Sequence, residues 1–121
     1  MPNQSADLND VFRALADPTR RSVVHRLSNG PVSVSELAEP FDMALPSFVQ
    51  HLKVLEDSGL IRSEKVGRVR TCQMVTETLS SAEQWLVDRR KLLEGRLDAL
   101  AKYVERGNNM MHSNDRGESD G

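Results

Sequence analysis

Cysteine occurs once in this 121-residue chain, as Cys72, and histidine three times, as His25, His51 and His112. A single cysteine excludes an intramolecular disulfide framework and any Cys-x-x-Cys zinc or redox motif. Three scattered histidines add little material for a metal site within one chain, so neither a metal nor another cofactor is expected. There is no Ser/His/Asp constellation and no phosphate-cradling glycine loop, and no catalytic residue is assigned. Aromatics are few, with one Trp, one Tyr and three Phe. They fall mostly on apolar stripes and leave no stacking platform for single-stranded nucleic acid. No apolar run approaches the roughly 18 residues of a membrane span. The opening MPNQSADLND has no basic stretch followed by an apolar one, so no secretory signal is expected. These absences point to a cytoplasmic chain without a membrane partner. What remains is 38% hydrophobic and 28% charged residues, enough for one core that needs no staple.

Net charge is −2, which taken alone argues against nucleic acid. The charges are segregated, however. Residues 107–121 hold Arg116 against Asp115, Glu118 and Asp120, a net of −2, so the preceding chain is neutral overall. Within it, residues 60–75 carry Arg62, Lys65, Arg68 and Arg70 against Glu64 alone, a net of +3. A local basic patch says more about a nucleic-acid partner than the bulk charge does.

Residues 1–6 are polar and expected to be flexible. Leu8, Val11, Phe12 and Leu15 then fall on one face of a helix. Asp17-Pro18 starts a second helix, Asp as cap and Pro at the first helical position, carrying Val23, Val24 and Leu27. Asn29-Gly30-Pro31 ends it. Ser33-Val34-Ser35-Glu36 has the form of a capping box and opens a short third helix with Leu37 and Ala38. A fourth helix, 45–58, is expected to bury Phe48, Val49, Leu52 and Leu55 and to stop at Ser58-Gly59. Two short helices joined by a tight turn form a helix-turn-helix pattern. The β-rich runs 60–66 and 69–75 around Gly67-Arg68 predict a hairpin. From Ser80 or Ser81 a long helix is expected to reach Arg106, with Gly107 just past its end and a disordered polar tail over 107–121. The folded domain is thus expected over 7–106.

The long helix carries two apolar seams. Leu86, Leu93, Leu97, Leu100 and Val104 form one; Trp85, Leu92, Ala99 and Tyr103 form another, one residue out of phase. A helix lying on one small domain needs a single stripe. The two seams could together form one wide stripe against the chain's own body, but their burial on two sides favours a helix shared with a second copy.

Helix 45–58 is the candidate reading head. Its first turn exposes Ser47 and Gln50, with His51 and Lys53 nearby. Gln can pair bidentately with adenine in the major groove, and Ser can bond several base edges. Lys53 suits a phosphate, and His51 suits either a phosphate or a hydrogen bond that holds the turn. The hairpin tip, Lys65-Val66-Gly67-Arg68-Val69-Arg70, suits a wing whose Arg enters a narrow minor groove.

In order along the chain, ALADPTRR (14–21), SELAE (35–39), HLKVLEDSGLI (51–61) and EKVGRVRT (64–71) resemble the blocks of the ArsR/SmtB winged-helix regulators. The resemblance covers about residues 8–106. It implies a mostly α winged helix-turn-helix of five helices with a β-hairpin wing, dimerising through its first and last helices. Leu8, Phe12, Trp85, Leu86, Leu92, Leu93, Leu100 and Tyr103 are the expected interface. It also implies a homodimeric repressor that binds double-stranded DNA at a pseudo-palindromic operator; the residues themselves offer Ser47, Gln50, His51, Lys53, Lys65, Arg68 and Arg70 as its DNA contacts. The family's recognition positions fall on Leu45, Ser47, Val49 and Gln50. Its usual cap and contact serines are replaced here by Ala44 and Val49, which weakens the helix cap by roughly 0.5–2 kcal/mol.

Metal sensing is a common output of that family. Its thiolate pair would fall within Ser33-Val34-Ser35-Glu36-Leu37, where hydroxyls stand instead, and neutral hydroxyls are poor ligands for soft metals. Its last-helix site needs histidine, and 80–106 contains none. Trp85-Leu86 and Arg96-Leu97-Asp98-Ala99-Leu100 resemble instead a metal-free branch whose small-molecule effectors are undefined. Cys72 alternates inward with Met74 on the wing and reads as a small hydrophobe. Two other readings stay open at this point: a redox-responsive repressor using Cys72, and a winged-helix module that binds protein rather than DNA.

Overall fold

The computed structural model describes residues 7–111. Five helices and three strands follow one another among them: α1 (Leu8–Ala14), α2 (Pro18–Leu27), β1 (Val32–Ser33), α3 (Val34–Ala38), α4 (Leu45–Asp57), β2 (Ile61–Val66), β3 (Val69–Met74) and α5 (Thr76–Met111). The expected flexible 1–6, the tail beyond residue 111 and His112 lie outside the described residues. Two compact units divide the chain, one up to Gln84 and one from Trp85 onward.

The helix starts follow the local chemistry. Asp17 caps α2 by accepting the backbone N–H of Arg20 at 3.0 Å, with Pro18 in the first turn. Ser33 caps α3 by accepting the N–H of Glu36 at 3.2 Å, and its hydroxyl donates to the Glu36 carboxylate at 3.2 Å. Only half of the expected capping box forms: the Glu36 carboxylate reaches back to the Ser33 hydroxyl and not to its backbone N–H. Helix α4 has no side-chain cap at Ala44 and begins with Pro46 in its first turn. Its far end is closed at Ser58, whose hydroxyl donates to the Leu55 carbonyl at 2.8 Å. Gly59 then takes φ +86°, a left-handed turn that an L side chain resists.

The hairpin forms as expected, with Gly67 at φ +66° in the turn and Val66 opposite Val69. Strand β1 was not legible in the sequence, because two residues carry no periodicity. It pairs antiparallel with β3, Val32 opposite Cys72 and Ser33 opposite Thr71, giving the sheet order β1-β3-β2.

Helix α5 departs from expectation at both ends. It starts at Thr76 rather than Ser80, because the Val75 carbonyl directly after β3 accepts the N–H groups of Thr78 and Leu79. Gly107 lies inside it and the helix continues to Met111. A glycine costs a helix about 1 kcal/mol and ends it most readily when it turns left-handed, and among the described residues only Gly30, Gly59 and Gly67 have positive φ.

The core of the first unit gathers Val11 and Ala14 from α1, Val23 and Leu27 from α2, Leu37 from α3, and Phe48, Leu52 and Leu55 from α4. Leu60, Ile61, Cys72 and Ala82 complete it. Phe41 and Phe48 stack at a tilt with centroids 5.3 Å apart. Leu8 and Phe12, expected at an interface, are partly buried against this cluster. One inward assignment fails: Val49 is 46% exposed. It sits about 100° around the helix from Phe48, on the flank rather than the buried arc.

Candidate nucleic-acid interface

Helix α4 is held by its back. Phe48, Leu52 and Leu55 are buried, which leaves Leu45, Pro46, Ser47, Val49, Gln50 and Lys53 on the open face. Ser47 and Gln50 are exposed as expected, and neither side chain is tied to a core group.

His51 is partly buried and does not belong to the open face. Its Nδ1 lies 3.0 Å from Nη1 of Arg20 and 3.7 Å from the Asp17 carboxylate. A guanidinium only donates, so Nδ1 is the acceptor in this contact. The same guanidinium donates through Nε to the Ala14 carbonyl at 2.8 Å and through Nη2 to the Arg13 carbonyl at 3.3 Å. Arg20 therefore caps the end of α1 and links it to α4. The hydrogen bond that His51 makes ties α4 to the start of α2 rather than to the turn before α4. The carboxyl of Asp17 is held below the ordinary carboxylate range, first by the Arg20 N–H. Nearby His51 and the Arg20 guanidinium add to the effect, and partial burial opposes it.

A second network joins α4 to the wing. The carboxylate of Glu56 accepts the backbone N–H of Ser63 at 3.2 Å and its hydroxyl at 2.8 Å. Arg70 Nη1 in turn donates to the Ser63 hydroxyl at 3.0 Å. Lys53 and Asp57 form an exposed i,i+4 pair at 3.3 Å, a contact that water and salt readily replace. Lys53, Arg70, Val49 and Cys72 line one cleft of about 540 Å³ between α4 and the sheet. The site residues Lys53 and Arg70 are thus brought together, while Lys65 and Arg68 stand exposed at the hairpin tip.

Sequence reasoning missed Asp17, Arg20, Glu56 and Ser63 as organisers of this surface. Arg20 lies within the ALADPTRR block, but its partner is 31 residues away and no local pattern reports such a pairing. Cys72 is buried, and its thiol is pushed up, first by desolvation and then by Glu56, against a smaller opposing effect of Arg70. Among the described residues no group of three His, Cys, Asp or Glu side chains is placed to hold a metal ion. No described helix is long and apolar enough to cross a membrane.

A capped helix-turn-helix followed by a basic hairpin defines a winged helix-turn-helix protein. The helix-turn-helix domain family matches residues 15–64. The transcriptional repressor SdpR of Bacillus subtilis is 30% identical over 81 residues, spanning 67% of this chain and 90% of that protein. The HTH-type transcriptional regulator Rv2034 of Mycobacterium tuberculosis is 43% identical over 64 residues, 53% of this chain and 60% of the relative. A crystal structure of an ArsR family transcriptional regulator is 60% identical, with a TM-score of 0.68. It covers 72% of this chain and 90% of its own. The chain belongs to the ArsR/SmtB family. It is a DNA-binding transcriptional regulator and not an enzyme.

Proposed function

We propose that this regulator is a homodimeric repressor that sets α4 into the major groove of each half of a pseudo-palindromic operator and lays its wing alongside. The observation that carries the reading is the first two turns of α4. They present Ser47 and Gln50 outward while Phe48, Leu52 and Leu55 fix the helix from behind. Gln50 reads adenine, Ser47 bonds a neighbouring base edge, and Lys53, Lys65, Arg68 and Arg70 neutralise phosphates or enter the minor groove. His51 supports the helix through Arg20 rather than touching DNA.

Pairing of two copies is supported by the second unit. Trp85, Leu86, Leu92, Leu93, Leu97, Leu100, Tyr103 and Val104 are all exposed in the single chain, Leu97 by 64% and Tyr103 by 74%. Each such Leu gains roughly 1.5–3 kcal/mol on full burial, which favours a partner helix. Leu8 and Phe12 would meet it through their partly open sides. The hydroxyls of Ser33 and Ser35, where thiolates would bind a soft metal, support repression without a metal effector. Burial and a raised thiol pKa favour Cys72 as a core residue over a redox switch.

Selection of bound DNA from a random pool, followed by anisotropy titrations over a salt series, tests the reading. A palindromic consensus with steep salt dependence is expected. Gln50→Ala should narrow the gap between operator and random DNA by about 1–3 kcal/mol. Arg68→Ala should weaken both DNAs alike and reduce the salt slope by about 1. Equal losses on both DNAs for Gln50→Ala would remove its base-reading role.

A further inference from the structure

The large apolar side chains that the first unit leaves exposed are Leu45 and Val49 at the start of α4, and Val66 and Val69 at the wing tip. Elsewhere in that unit the large apolar side chains are buried or partly buried against the core, so the most exposed of them stand on the two elements that face DNA in the reading above. Leu45 and Val49 are 56% and 46% exposed and stand one helical turn apart. They make one edge of the open face, with Ser47 on the other and Pro46 and Gln50 between. Neither Leu45 nor Val49 carries a donor or acceptor, and Lys53 and Glu56 join them on that side further along the helix. The group in the major groove that an apolar side chain recognises is the C5-methyl of thymine.

We infer that Leu45 and Val49 read thymine methyls in each half-site, so that the operator is specified by hydrocarbon contacts as well as by hydrogen bonds. The inference rests on the DNA-binding reading above and deepens it. An adenine held by Gln50 brings its paired thymine into the same step of the groove, and a methyl there projects toward the floor on which an apolar side chain can close. The polar and apolar edges of the one helix face therefore select A·T pairs by complementary means. Replacing a hydroxyl by the Val49 isopropyl group gives up a hydrogen bond and gains a methyl-sized contact. The wing-tip valines, opposite one another across the turn, extend the same apolar character beside Arg68.

Replacing thymine by deoxyuridine removes only the methyl group and leaves every base-pairing atom in place. The full chain is titrated with its selected operator and with copies carrying deoxyuridine at one thymine at a time. At the contacted thymines affinity should fall about fourfold per methyl, the effect of one lost buried carbon. Leu45→Ala and Val49→Ala should abolish that difference at their own positions. Both are surface changes, and unaltered thermal unfolding will show that the fold is kept. Equal binding of thymine and deoxyuridine operators, by protein that still separates operator from random DNA, overturns this inference alone. A deoxyuridine effect that persists undiminished in both variants overturns the assignment to these residues. Failure to select any DNA removes the underlying reading and this inference with it.

Discussion

The residues up to Gln84 and those from Trp85 onward treat their hydrophobic side chains in opposite ways. In the first unit Leu, Val, Ile and Phe side chains from four helices and the sheet converge on one buried cluster, and the exceptions sit on α4 and the wing tip. In the second, Trp85, Tyr103 and the seam leucines from Leu86 to Leu100 are exposed in the single chain. Net stability of a small domain is a few kcal/mol, the difference of large opposing quantities. A unit that closes its own core can therefore hold the exposed face of α4 in place. A helix that leaves two seams open gains most from a second copy. In the dimer proposed above, folding and assembly are divided between the two regions.

The most severe way to break this division is to charge the seam. Leu93→Glu with Leu97→Glu should yield a monomer by sedimentation equilibrium with its helical content intact. Operator affinity should fall about 10²–10⁴-fold, because the two half-sites are no longer bound jointly. A variant that stays dimeric would mean that pairing uses another surface. Phe48→Ala strikes the other side of the comparison. Its side chain is fully buried, so the substitution should cost about 3–5 kcal/mol in denaturant unfolding at fixed protein concentration. A loss under about 1 kcal/mol would show that the first unit is not held by its core.

The smallest effect sharpens how the first unit is capped. Asp17 in the folded chain titrates below its ordinary value of about 3.9, so its contribution is complete above that pH and is lost as pH falls through the lower, folded value. Asp17→Asn keeps an acceptor for the Arg20 N–H but removes the charge. The stability difference between the two proteins should be full at pH 7 and shrink below about pH 4. A difference that stays constant from pH 7 to pH 3 would leave the carboxylate charge without a role.

Much of the reading head was legible because its signals are local. Asp17-Pro18, Ser33 to Glu36 and Ser58-Gly59 mark helix ends through atoms within a few residues, and the wing announces itself by β-rich runs around Gly67-Arg68. Val49 was misplaced for a related reason. A pattern of apolar residues at helical spacing does not distinguish the centre of a buried arc from its edge, and 100° of rotation separates Phe48 from Val49. The start of α5 was misread because the serines at 80 and 81 look like caps, while the Val75 carbonyl had already begun the helix.

By itself the sequence determined the order of elements, the basic wing, the outward Ser47 and Gln50, and the two seams of the last helix. All of these follow from periodicity, turn chemistry and charge over short stretches. Only the tertiary structure decided that Arg20 joins the end of α1 to His51, that Glu56 and Ser63 tie α4 to the wing, that β1 pairs with β3, and that Val49 stays uncovered. Each of those depends on which residues distant along the chain come to lie within hydrogen-bonding or packing distance, and such proximity leaves no mark on the residues themselves.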